Sequence, residues 1–161
     1  MESYNEETFK KIGITEKFIQ DNHSLTLQAG VIRGMHYQLA RNAQSKIVRA
    51  ITGAIFDVVV DIRKGSPTFG KWEGFILSED NKRQLYVPKG FAHGFCTLTA
   101  NAHVIYKVDA LYSREDDRGL AWNDEDVAIS WPTANPILSE KDRNHPKLKV
   151  LENDFRWEDS I

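Results

Sequence analysis

The polar side chains that could do chemistry lie in an apolar, strand-like segment, Gly30–Gln38. It reads Gly-Val-Ile-Arg-Gly-Met-His-Tyr-Gln, with the permanent cation Arg33 close to the imidazole of His36. In a regular strand, residues three apart face opposite sides of the sheet. A bulge at Gly34 would turn both side chains into one cavity. A hydrogen-bonded core histidine is the alternative role for His36.

More polar residues occur where a strand should be apolar. Lys46 opens one such run, and Tyr106 alternates with valines in another. A buried tyrosine that caps the core is the alternative role for Tyr106. Asp57 shares a strand face with apolar residues, which indicates either a half-exposed sheet or a barrel lumen where a buried carboxylate needs a partner. His93 ends a Pro-x-Gly-x-x-His segment, and the similar turn of cupin barrels puts its histidine at the mouth of the lumen. A structural hydrogen bond is the alternative role for His93. These positions indicate one polar site inside a β-structure.

The residue types favour proton abstraction next to a carbonyl group. His36 can remove a carbon-bound proton, Lys46 can stabilise the enolate oxygen, and Tyr106 can return a proton to the opposite face. A carboxylate on the far imidazole nitrogen would fix the tautomer of the base. Arg33 could bind an anionic group such as a phosphate through two hydrogen bonds.

Two other chemistries find less support. A metal-binding cupin needs a His-x-His pair and a nearby Glu, whereas the chain has His36-Tyr37-Gln38 with no Glu beside it, so we expect no metal. No nucleophile elbow is present, and Cys96 fits a small buried residue better than a nucleophile.

Short strands must position these groups. Asn5–Gly13 predicts one short helix capped by Asn5, and Ser139 could cap a helical turn containing Asp142. Apolar runs separated by turn residues predict strands at Phe18–Gln20, Gly30–Gln38, Lys46–Ile51, Ala54–Arg63, Trp72–Leu77, Gln84–Val87, Gly94–Leu98, His103–Val108 and Leu120–Trp122. This spacing predicts an all-β sandwich or small barrel.

Length, composition and charge limit the domain organisation and the classes of function. A chain of 161 residues and 18.4 kDa, without repeats or linkers, predicts one domain over residues 1–161. A net charge of −2 and a pI near 6.2 disfavour nucleic-acid binding, and one cysteine excludes an internal disulfide. The start has no leader pattern and no long apolar run follows, so we expect a cytoplasmic protein without a membrane segment.

Several motifs together resemble the dTDP-4-dehydrorhamnose 3,5-epimerase family of cofactor-free cupins, which make dTDP-sugars for bacterial surface glycans. They are Gln-Asp-Asn-His-Ser at 20–24, Arg-Gly-Met-His-Tyr-Gln at 33–38 followed by Lys46, the run at 53–66, and Val-Pro-Lys-Gly-Phe-Ala-His-Gly-Phe at 87–95. Tyr106, Tyr112 and Leu-Ser-Glu-Lys-Asp at 138–142 also fit. The similarity spans almost the whole chain.

The resemblance implies a jelly-roll homodimer with no cofactor. It implies that His36 is the base, Asp142 its partner, Tyr106 the acid on the opposite face, and Lys46 the group near the C4 oxygen. Lining and substrate-binding residues implied in the same way are Gln20, Asn22, Arg33, Asp57, His93, Tyr112, Lys141 and Glu2. The family usually has about two dozen residues before Met1, so we expect either a shortened chain or a misassigned start, with weaker nucleotide binding.

The implied reaction is epimerisation at C3 and C5 of dTDP-4-dehydro-6-deoxy-D-glucose to dTDP-4-dehydro-L-rhamnose. One alternative is a mono-epimerase that inverts only one of these carbons or uses a related nucleotide sugar. A 3,4-ketoisomerase is disfavoured because that group has His-x-His at this position. The other alternative is a non-catalytic cupin that binds nucleotide sugars, and the complete set of base, acid and lysine argues against it.

Overall fold

The computed structural model describes residues 1–160 and is mostly β-structure. Its strands are β1 Gln20–Thr26, β2 Ile32–Gln38, β3 Lys46–Thr52, β4 Ala54–Asp61, β5 Trp72–Ser78, β6 Leu85–Val87, β7 Phe91–Thr97, β8 Ala102–Val108 and β9 Asp117–Gly119. The α-helices are α1 Glu6–Lys11 and α2 Glu140–Arg143, and short 3-10 helices span Ala40–Asn42, Leu148–Val150 and Trp157–Ser160. No helix in residues 1–160 has the length and apolar character needed to cross a membrane.

The strands form two antiparallel sheets that enclose the core. One sheet has the order β1-β8-β3-β6 and the other β5-β4-β7-β2-β9. Val48 and Val104 of the four-stranded sheet pack with Ile55 and Phe95 of the five-stranded sheet in one apolar cluster. Burial of these faces between the two sheets supplies the main driving force for folding. The all-β jelly-roll prediction is confirmed.

The bulge predicted at Gly34 is present. Arg33 pairs with Phe95 and His36 with His93, and the register of β2 against β7 shifts between these pairs. Gly34 has a φ of +136°, and an added Cβ would lie 2.6 Å from the Cα of Gly94. Only glycine permits this backbone approach, which lets Arg33 and His36 line the same cavity.

The predicted boundaries of the first and the last strand were wrong. The first strand starts at Gln20 rather than ending there. The residues of this edge strand that face inward are polar, so the sequence lacks the alternating apolar residues by which a strand is predicted. The last strand, β9, ends at Gly119, one residue before the predicted Leu120–Trp122. Leu120 still exchanges backbone hydrogen bonds with Met35, so the pairing continues past the strand.

The two helix caps agree with the sequence. The Asn5 side chain accepts a hydrogen bond from the Thr8 N–H at 3.1 Å, and Gly13 follows α1 with a φ of +91°. Ser139 Oγ accepts from the Asp142 N–H at 3.1 Å at the start of α2. This cap places Asp142, a buried residue in an otherwise exposed segment, beside β2.

Candidate active site

A cavity of about 300 Å³ opens between the two sheets and adjoins a second one of about 270 Å³. His36, Lys46, Tyr106 and Lys141 line both. The predicted residues Arg33, His93 and Asp142 line the first cavity, and Gln20, Asn22 and Tyr112 line the second. The fold therefore brings most of the predicted set into one continuous cleft of the size that a small ligand needs.

The proposed base is held by a carboxylate from a distant part of the chain. His36 Nε2 lies 2.6 Å from Asp142 Oδ1, joining β2 to α2. With Asp142 ionised, Nε2–H donates this hydrogen bond and Nδ1 keeps its lone pair. Burial lowers the pKa of His36, and the Asp142 charge only partly offsets this effect. A neutral imidazole is the form that can accept a proton.

Asp142 is itself flanked by a second imidazole, His145. Its Nε2 lies 3.4 Å from Asp142 Oδ1 but makes no hydrogen bond, and its ring lies edge to face with the ring of His36 at 5.5 Å. Burial alone would raise the pKa of Asp142, but the two histidines beside it lower the pKa overall. The sequence analysis missed His145 because nothing local distinguishes it from a surface residue.

Lys46 and Tyr106 come from the opposite sheet. Val48 pairs with Tyr106 and Lys46 with Val108, so the lysine and the tyrosine are diagonal neighbours on the cavity face of β3 and β8. Burial lowers the pKa of Lys46 to about 8, although Asp57 and Asp117 act to raise it. Burial raises the pKa of Tyr106, and the Arg33 charge opposes this shift, so the phenol keeps its proton at neutral pH.

His93 and Asp57 form a second histidine–aspartate pair beside the cavity. His93 Nε2 lies 2.7 Å from Asp57 Oδ1, and both residues are buried. His93 reaches the cavity, whereas Asp57 lies behind it and its Oδ2 has no hydrogen-bond partner among the described residues. The buried carboxylate that the sequence required to have a partner does have one.

The second cavity is polar at its rim. Tyr112 donates a hydrogen bond to Asp117 Oδ2 at 2.9 Å, and Lys141 forms an ion pair with the same carboxylate. Gln20 donates to Asn22 Oδ1 at 2.9 Å. Asp117 was not predicted, because it follows a run of charged residues that resembles an exposed loop. These groups supply donors and acceptors for a polar ligand.

Arg33 lies at the outer end of the first cavity. Its Nε donates to Thr26 Oγ1 at 3.0 Å, and the residue is exposed. Ser24, which the sequence analysis missed, lines the same cavity with a buried hydroxyl that has no partner among the described residues. Glu2 lies elsewhere, exposed in the N-terminal segment with Oε2 at 3.5 Å from Asn5 Nδ2. Its substrate-binding role stays a prediction.

The family model for dTDP-4-dehydrorhamnose 3,5-epimerase matches residues 1–150 of the chain. The chain belongs to this family of isomerases. A dTDP-4-dehydrorhamnose 3,5-epimerase from Shigella flexneri is 53% identical over 149 residues, which cover 92% of this chain and 82% of that protein.

Solved structures agree with this assignment. A dTDP-4-dehydrorhamnose 3,5-epimerase from Bacillus anthracis with TDP and PPi bound has a TM-score of 0.89 at 55% identity, over 91% of this chain and 83% of that one. A dTDP-6-deoxy-D-glucose-3,5-epimerase from Legionella pneumophila in complex with dTDP-4-keto-L-rhamnose also has a TM-score of 0.89, at 45% identity, over 94% and 80%. The resemblance noted from the sequence motifs is confirmed.

Proposed function

We propose that the chain epimerises C3 and C5 of dTDP-4-dehydro-6-deoxy-D-glucose, giving dTDP-4-dehydro-L-rhamnose, without a cofactor. The observation that carries this proposal is the placement of a base and an acid on opposite sheets that face one cavity. His36 belongs to the five-stranded sheet and Tyr106 to the four-stranded sheet. Inversion at carbon needs a proton removed from one face and returned to the other.

The proposed reaction proceeds through an enolate at each carbon. His36 Nδ1 removes the proton next to the C4 carbonyl, and Asp142 stabilises the imidazolium that forms. Lys46 donates to the C4 oxygen as negative charge develops there, and the Tyr106 hydroxyl returns a proton from the opposite side. Among the described residues, neither the Lys46 amine nor the Tyr106 hydroxyl has a hydrogen-bond partner in the protein, which leaves both for the substrate.

The remaining polar groups of the cleft are proposed to bind the nucleotide part. Arg33 would hold a phosphate, while Gln20, Asn22, Tyr112 and Lys141 would contact the dTDP group along the second cavity. The Bacillus anthracis relative was solved with TDP and the Legionella pneumophila relative with dTDP-4-keto-L-rhamnose, which supports a dTDP-sugar substrate.

The test is proton NMR of dTDP-4-dehydro-6-deoxy-D-glucose incubated with the protein in D₂O. We expect the H3 and H5 signals to disappear as solvent deuterium enters both carbons. Loss of only one signal would identify a mono-epimerase. Loss of neither would reject the proposed reaction.

A binding comparison separates an enzyme from a module that only binds nucleotide sugars. His36→Ala should still bind dTDP, because the base is not expected to contact the nucleotide, but it should lose deuterium incorporation. Wild-type protein that binds dTDP without any incorporation would support the binding module instead.

We also propose that the chain acts as a homodimer in the cytoplasm. The family resemblance supports the homodimer. Sedimentation at several concentrations tests the dimer. Fractionation of cells that express the full gene tests the location.

A further inference from the structure

We propose that His36, Asp142 and His145 form an inhibitory site for Zn²⁺ or a similar divalent transition-metal ion. Their ligand atoms all lie within 4.8 Å of one another, from two imidazoles and one carboxylate. This donor set suits zinc and its neighbours among the transition metals. The site is unrelated to the His-x-His pattern that the sequence lacks, because His36 comes from β2, Asp142 from α2 and His145 from the segment after α2.

His145 is the residue that points to a ligand. Its side chain is only 9% exposed, and its Nε2 has no hydrogen-bond partner among the described residues. A buried imidazole nitrogen that makes no hydrogen bond has lost water, and here it has only the longer ion-pair contact with Asp142 in exchange. That nitrogen lies 3.4 Å from Asp142 Oδ1, close to the roughly 3.3 Å that separates two ligands in a tetrahedral zinc site.

The fold places His145 against the base through a glycine. Gly119 pairs with His36 between β2 and β9, and a Cβ added there would lie 2.3 Å from the His145 ring. The segment is fixed further by a hydrogen bond from the Ala121 N–H to the Pro146 carbonyl oxygen at 2.9 Å. His36 and Asp142 line the cavity, so an ion can reach the three ligands from that side.

Only a small movement is needed to admit the ion. His36 Nε2 and Asp142 Oδ1 are 2.6 Å apart and would have to separate by less than about 1 Å for both to bind zinc at about 2.0–2.2 Å. The His36 side chain is 34% exposed, which leaves room for its ring to adjust. A water molecule would fill the fourth position.

The inhibition follows from the tautomer of His36. In the active form, Nε2–H donates to Asp142 and the lone pair of Nδ1 is the base. A zinc ion on Nε2 takes the lone pair of that nitrogen, so the ring proton moves to Nδ1. The imidazole then has no lone pair facing the substrate, and proton abstraction stops. This part of the inference rests on His36 being the base, as proposed above, whereas zinc binding does not.

The test begins with calorimetric titration of Zn²⁺ into chelator-treated protein. We expect one tight site per chain. His145→Phe removes one of the three protein ligands and should weaken binding by at least about tenfold, since even the loss of a group that only supports a ligand costs about 10–100-fold. Phenylalanine keeps a ring against Gly119 but offers no ligand, and His145→Gln serves as a second variant if the first does not fold. His23→Gln is the matched control. His23 and His103 form an exposed pair with nitrogens 2.9 Å apart, on the face of the four-stranded sheet that points away from the cavity.

The second readout is solvent deuterium incorporation into the dTDP-sugar. Zn²⁺ should stop incorporation by wild-type protein and by His23→Gln, EDTA should restore it, and Mg²⁺ at equal concentration should have no effect. The inference is wrong if wild type and both His145 variants are equally sensitive to zinc, or if His23→Gln loses zinc binding. It is also wrong if Mg²⁺ inhibits as strongly as Zn²⁺, because inhibition would then act through the sugar diphosphate. If no incorporation occurs at all, the proposed function fails while calorimetry still decides the metal site.

Discussion

Two histidine–aspartate pairs each contribute their histidine to the same cavity, and the surroundings of the two pairs differ more than their hydrogen bonds do. His36–Asp142 spans 2.6 Å and His93–Asp57 spans 2.7 Å. The His36 side chain is 34% exposed, whereas that of His93 is 9% exposed and that of Asp57 is fully buried. We therefore propose that access to the substrate, rather than the hydrogen bond to an aspartate, makes His36 the base and leaves His93 without that role.

The largest expected effect is on the pair with the more accessible histidine, His36–Asp142. His36→Asn removes the base, and deuterium incorporation should fall by about 10²–10⁴-fold, the usual contribution of general base catalysis. Incorporation rates from NMR measure this, with dTDP binding as the control for folding. A loss of less than tenfold would mean that His36 and His93 are not distinguished as proposed.

Asp142→Asn should follow with a loss of at least about 100-fold, because an amide can donate to Nε2 and leave the ring proton on Nδ1, where it blocks the base. Asp57→Asn is the matched control in the buried pair and should retain about half of the rate or more at pH 7, where Lys46 is still partly cationic. Equal losses in the two variants would show that both pairs take part in proton transfer.

The buried pair should matter more for stability. His93→Phe leaves the Asp57 carboxylate buried and unpaired, so the free energy of unfolding should fall by about 3–5 kcal/mol. Urea unfolding at pH 7 measures the loss. His36→Phe should cost less, because water in the cavity can reach Asp142. If the free energy of unfolding falls equally in the two variants, the difference in side-chain exposure has no effect on how much each pair stabilises the fold.

The smallest effect is electrostatic and concerns Lys46. Its pKa of about 8 means that the amine is cationic below that pH and neutral above it, so incorporation should decline as the pH rises through about 8. Asp57 raises this pKa, and removing its negative charge favours the neutral amine. Asp57→Asn should therefore move the decline to lower pH, by about one unit. A pH–rate profile that does not move, or moves upward, would contradict this role.

The sequence by itself determined the local features of this protein. The period-two runs predicted most strands, Asn5 and Ser139 predicted the helix caps, and Gly34 predicted the bulge that turns Arg33 and His36 into one cavity. These features depend on a few neighbouring residues, so their physical causes are visible in a short stretch. The types of side chain by themselves also indicate proton transfer.

Only the tertiary structure decided which groups meet. His36 and Asp142 are 106 positions apart, and no local pattern encodes their contact, which depends on where α2 packs against β2. The same is true of His145, whose position against His36 requires Gly119 on a third segment. The predicted boundaries of the edge strand β1 were also wrong. This strand has one partner strand and faces a polar cavity, so its sequence lacks the alternation of apolar and polar residues that marks a strand. Chemistry at this site therefore depends on pairings between distant segments, which the packing of the two sheets fixes.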